Sequence, residues 1–150
     1  MFPSVLRPAD EVSLTALRAS RLAREVHAGQ TDRHGDPLEE HVARVAAAVP
    51  ADARPVALVH DVCERSRLTP VDVAFRVGLS DAERIALDLM TRRDDEDVLA
   101  HTRRVLDAAP GRGRDLAIAV KRADVGDHVG RRPLDRTTPH ARAAVLLAHA

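Results

Sequence analysis

Proline and glycine divide this chain into apolar stretches with helical spacing, and that punctuation is its strongest constraint on fold. Nine prolines and seven glycines fall mostly between runs whose apolar residues recur three or four positions apart. No stretch alternates strictly with period two over five or more residues. The spacing predicts helices over 10–28, 38–49, 56–66, 68–78, 79–91, 94–109, 114–130 and 137–150. Their ends carry local chemistry. Thr69 stands as an N-cap before Pro70, Ser80 and Glu83 form a capping box, and acids open the stretch that Pro110-Gly111 closes. The expected fold is all-α: one domain over residues 1–150, a bundle of about seven to eight helices.

Composition bounds the partners. The 150 residues suit one core. Phe2 and Phe75 are the only aromatics, so that core has to be Leu, Val and Ala. A nucleobase would find few rings to stack on, which argues against single-stranded nucleic acid. Net charge is zero, so nothing steers the whole chain to a nucleic-acid polymer or an anionic membrane. No apolar run is long enough for a bilayer span, and the opening stretch lacks the basic-then-apolar order of a secretory signal. With Cys63 as the one cysteine, no internal disulfide forms. A cytoplasmic protein is expected.

The chemistry concentrates where the most apolar stretch ends, in "LVHDVCERS". His60-Asp61 alone says little: with 8 His and 16 Asp in the chain, chance supplies about one such pair. Its setting says more, because burying His and Asp costs several kcal/mol unless they are paired or metal-bound. His41 lies on the preceding helix. Asp124 lies late in "IAVKRADVGDH", and His128, four residues on, shares its helix face. His41, His60, Asp61 and Asp124 offer two imidazoles and two carboxylates to one divalent cation, a mixed set suited to manganese, iron, zinc or magnesium. Cys63 reads as a small core residue, His27 as a structural hydrogen-bonding group, and "RRDDED" as a solvated charge run.

Taken together, "AREVHAGQTDRHGDPLEEHVARVAAAV", "ALVHDVCE" and "VKRADVGDH" resemble the HD superfamily of metal phosphohydrolases, and within it the hydrolase domain of RelA/SpoT-type alarmone enzymes. The resemblance spans about residues 15 to 130. It rests on His27, Gly29, Gln30, Gly35, Pro37, His41, His60, Asp61, Glu64, Lys121, Ala123 and Asp124. It implies that His41, His60, Asp61 and Asp124 are metal ligands, with manganese first among the candidate ions. It implies that Glu64, with Asp61, serves catalysis by orienting or deprotonating water, and that Lys121 and nearby arginines, Arg33 and Arg65, meet phosphate. The substrate class it implies is a nucleotide phosphate or pyrophosphate, such as a guanosine 3′-pyrophosphate.

Four positions depart from the pattern. Arg65 stands where a second carboxylate is usual, His128 where an asparagine is usual, and Thr31-Asp32 where basic residues usually follow the glutamine. His128 is grouped with the substrate-facing residues. Arg65 leaves a second reading open: a module that binds metal and nucleotide as a sensor without turnover.

Overall fold

The structure, a computed structural model, describes residues 13–131 and 137–150. Eight α-helices follow in order: α1 Leu14–His27, α2 Leu38–Ala47, α3 Arg54–Val59, α4 Pro70–Val77, α5 Asp81–Met90, α6 Val98–Asp107, α7 Arg112–Gly130 and α8 Pro139–Ala148. A 3-10 turn, Ala51–Ala53, leads into α3. No strand occurs among the described residues, so the all-α expectation holds. Residues 10–12 of the expected first helix lie outside the described residues.

Most helices begin on a side chain that accepts an otherwise orphaned backbone N–H. Ser13, Thr69, Ser80, Asp97 and Thr138 all do so, and Thr69–Asp72 and Ser80–Glu83 form complete capping boxes. Helix α4 closes on Gly78 in the left-handed conformation (φ 81°), which costs a residue without Cβ little.

Small aliphatic residues build the interior. Val45, Ala46, Val56, Ala57, Ala86, Met90, Ala117 and Val120 pack α2, α3, α5 and α7 together. Val59, Val62, Val73, Val77 and Leu87 join α3, α4 and α5 to Ala19 and Leu22 of α1. Val125, Ala143 and Leu147 attach α8 to α7. Each fully buried Val or Leu contributes about 1.5–3 kcal/mol from leaving water. Helix α7 is the centre of this arrangement, in contact with α2, α3, α5, α6 and α8. Its Gly113 allows close approach to α5, since a Cβ there would stand 2.6 Å from Ile85 Cγ2.

The third helix is shorter than the sequence spacing predicts. It ends at Val59, and residues 60–66 continue as tight turns instead of helix. The reason is local. His60 Nδ1 donates to the Ala57 carbonyl at 2.6 Å, taking the acceptor that the Asp61 N–H would use in a continued helix. Ser66 Oγ then donates to the Val62 carbonyl at 2.7 Å and closes the turn. No helix among the described residues is long and apolar enough to cross a membrane.

Candidate metal centre

The end of α3 delivers His60 and Asp61, α2 delivers His41 one turn from its start, and α7 delivers Lys121, Asp124, Asp127 and His128. Two of these rings are oriented by a hydrogen bond on one nitrogen only. His60 Nδ1 is fixed as a donor, because the Ala57 carbonyl can only accept. His41 Nδ1 donates to Asp127 Oδ2 at 2.7 Å. Asp127 is itself gripped by Arg44, whose Nε donates to Oδ1 at 2.7 Å and whose Nη2 donates to Oδ2 at 3.2 Å. In both rings Nε2 is buried and has no hydrogen-bond partner. A buried imidazole held by one nitrogen, with the other open, has the arrangement of a metal ligand backed by an outer partner.

Those open nitrogens converge with the carboxylates. Asp61 Oδ2 lies 3.5 Å from His60 Nε2 and 3.7 Å from His41 Nε2. Asp124 Oδ1 lies 3.2 Å from His41 Nε2, 3.3 Å from His128 Nε2 and 3.7 Å from His60 Nε2. Ligand atoms of His41, His60 and Asp61 all fall within 4.8 Å of one another, as do those of His41, Asp124 and His128. These buried His/Asp groups could hold a metal ion, and the open Nε2 atoms fit one.

The electrostatics agree with that fit. Burial opposes charge on His60, yet the Asp61 and Asp124 carboxylates outweigh it and raise the ring to about 10. His41 is raised for similar reasons: burial opposes, and Asp124 prevails. Burial also works against the Asp124 carboxylate, but the facing imidazoles of His128, His41 and His60 hold it well below the usual range. A cation would therefore compete with protons for the same nitrogens.

Above this floor opens a cleft of about 580 Å³. Every residue that the sequence assigned to substrate lines it: Lys121, Arg33, Arg65 and His128. Lys121 is buried, with Nζ 3.6 Å from Asp124 Oδ2. Its ammonium donates to His101 Nδ1 at 3.2 Å, while His101 Nε2 donates to the Leu89 carbonyl at 2.8 Å. Glu64 accepts the Arg92 backbone N–H on Oε1 at 3.1 Å. Partial burial of its side chain, which stays 26% exposed, pushes the carboxyl up to about 7, aided by the charge on Asp61. Arg65 is exposed at the rim, and its carbonyl accepts from Gln30 Nε2 at 3.2 Å.

Sequence reasoning overlooked several groups. Asp127 and Arg44 orient His41, His101 seats Lys121, and His140 of α8 reaches the cleft. Asp127 left a trace, three residues past Asp124, but its partner lies 86 positions away. His101 shares a face with the apolar residues of α6, and no sequence signal marks its partner. Asp32, where basic residues are usual in the resembled family, takes a different part. Its Oδ1 accepts the N–H groups of His34 at 2.8 Å and Asp36 at 3.1 Å, and its Oδ2 accepts from Arg131 at 3.0 Å. That shapes the loop carrying Arg33.

The stretch 92–97, expected as a solvated charge run, is partly a clamp. Glu96 accepts from Arg104 Nη2 at 3.0 Å, and Arg104 also donates to the Thr91 carbonyl at 2.9 Å. Cys63 sits against the α1–α3–α4 core, and burial pushes its thiol up to about 11, away from nucleophilic use. His27 Nδ1 pairs with Gln30 Oε1 at 3.0 Å, a structural bond as expected; its Nε2 is likewise buried and open, but the residue lies outside the cleft lining. No protein-family model matches the chain, and no curated protein matches it.

Proposed function

We propose that this chain is a metal-dependent phosphohydrolase of the HD type, acting on a nucleotide phosphate or pyrophosphate. The observation that supports it is the convergence of two unpartnered imidazole nitrogens with Asp61 and Asp124 beneath a cleft bordered by arginines. His41, His60, Asp61 and Asp124 would hold the cation. A divalent ion there supplies a Lewis acid for a phosphoryl oxygen and lowers the pKa of a coordinated water toward ~7.

The chain's own groups do the rest. Lys121, fixed by His101, neutralises charge on the phosphoryl group near the floor. Arg33 and Arg65 meet the outer phosphates or the nucleoside. Glu64 Oε1 is occupied by the Arg92 N–H, so Oε2 is the oxygen that accepts a proton as water attacks phosphorus. A carboxyl at about 7 is matched to that task at neutral pH. The water oxygen bonds to phosphorus as Glu64 takes its proton, and the bond from phosphorus to the ester oxygen of the nucleoside breaks. That oxygen leaves and takes up a proton from solvent, so that the released phosphate or pyrophosphate carries the water oxygen.

A second reading is favoured by Arg65, a cation where the resembled enzymes carry a carboxylate: a module that binds metal and nucleotide without turnover. One experiment separates the two. Manganese-loaded protein is assayed for phosphate and pyrophosphate release from a nucleotide panel, beside Glu64→Gln. The enzyme reading expects release that falls at least ~100-fold in the variant, the lower range for loss of a general base. Nucleotide binding in calorimetry with no release by folded, loaded protein leaves the sensor. Neither binding nor release removes both.

A further inference from the structure

We propose that His128 is a direct ligand of the cation, so that this centre offers three imidazoles and two carboxylates. The inference rests on the metal centre proposed above and adds a residue to it. Asp124 Oδ1 is faced by three Nε2 atoms from three places in the chain: His41 at 3.2 Å, His128 at 3.3 Å and His60 at 3.7 Å. Two of them belong to the donor set already described. The third approaches the same oxygen at nearly the shortest distance, and one ligand atom each from His41, Asp124 and His128 lies within 4.8 Å of the others.

The placement of His128 follows from the fold. A four-residue step puts Asp124 and His128 on one face of α7, a spacing that recurs where one helix supplies two metal ligands. The His128 ring is packed from two sides. The His41 ring centroid lies 4.9 Å away, and His140 of α8 contributes a ring at 4.5 Å, tilted by 34°. Both rings lie against the imidazole whose Nε2 is 3.3 Å from Asp124 Oδ1. With 28% of the side chain still exposed, His128 lines the cleft.

A different account of the same distance is an ordinary His–Asp pair along one helical turn. Metal preference separates the two. Imidazole favours the later divalent transition ions, whereas carboxylate and water suit magnesium, calcium and manganese. A third imidazole moves the centre toward the first group, away from a manganese-first order.

The test uses full-length, metal-depleted protein titrated with Co2+ and with Mn2+, for wild type, His128→Asn and His128→Gln. Circular dichroism verifies helix content in each. Cobalt affinity is expected to fall at least ~10-fold in both variants, the lower end of what loss of even an indirect partner costs a metal centre. Manganese affinity falls less, and the visible Co2+ spectrum shifts with the lost nitrogen. Unchanged cobalt affinity and spectrum in the two folded variants overturn the inference while leaving the four-residue centre standing. Wild type that binds neither ion overturns the centre itself.

Discussion

His60 and His101 are both buried, both line the cleft, and are used in opposite ways. His60 spends one nitrogen on the Ala57 carbonyl and keeps the other open among carboxylates. His101 spends both, one on the Leu89 carbonyl and one on the Lys121 ammonium. The local charge follows. Carboxylates raise His60 to about 10 against its burial. Burial, with Lys121 alongside, lowers His101 to about 4. Neither burial nor an open ring nitrogen separates the two roles, since His27 is also buried with a free Nε2; the carboxylates facing the open nitrogen of His60 do.

The largest effect expected from that contrast is on metal content. His60→Ala takes a near-stoichiometric ion to background in elemental analysis, whereas His101→Leu leaves it bound. Instead, the His101 variant strands the Lys121 ammonium without its acceptor and lowers stability by about 1–3 kcal/mol in urea unfolding. Equal metal loss in the two folded proteins would erase the distinction. A smaller effect is expected at one remove. Asp127→Asn, which keeps the size of the group that orients His41 but not its charge, weakens metal affinity by ~10–100-fold. Full affinity in this variant would mean that the Asp127–Arg44 pair is only a tie between α7 and α2.

The gentlest probe is pH, and it has opposite signs at the two histidines. In metal-free protein, the folded His60 titrates near 10, above its ordinary 6.5. Its stabilising contribution is therefore fully present below 6.5 and is lost as pH rises through about 10. His101 titrates near 4, below 6.5, so its contribution is present above 6.5 and is lost as pH falls through about 4. Urea midpoints measured across pH should fall on both sides. His60→Ala flattens the alkaline side, and His101→Leu flattens the acid side. A variant that leaves its own side unchanged contradicts the assignment for that residue.

Much of the fold was readable because the helices announce their own ends. Ser80 with Glu83, and Thr69, cap backbone N–H groups, Pro70 has none to cap, and Gly78 closes α4, all within a few residues, so sequence spacing alone reveals them. The end of α3 was not readable, since it depends on the His60 ring taking a carbonyl from the backbone. The site divides in the same way. His60-Asp61 and the Asp124/His128 spacing are local patterns. The links from His41 to Asp127 and from Lys121 to His101 join separate helices, and only packing brings those atoms together.

Helix α7 has a mechanical consequence. It meets α5 at Gly113, where a missing side chain sets the distance between the two helices. It presents Lys121, Asp124, Asp127 and His128 further along the same rod. At ~1.5 Å per residue, Gly113 and Asp124 are about 16 Å apart. The rod is a lever with its fulcrum at the glycine. A tilt of ~4° there moves the carboxylate by about 1 Å, a displacement large enough to spoil the alignment of reacting groups. The precision of the cleft is thus set in part by a contact that lies well outside it.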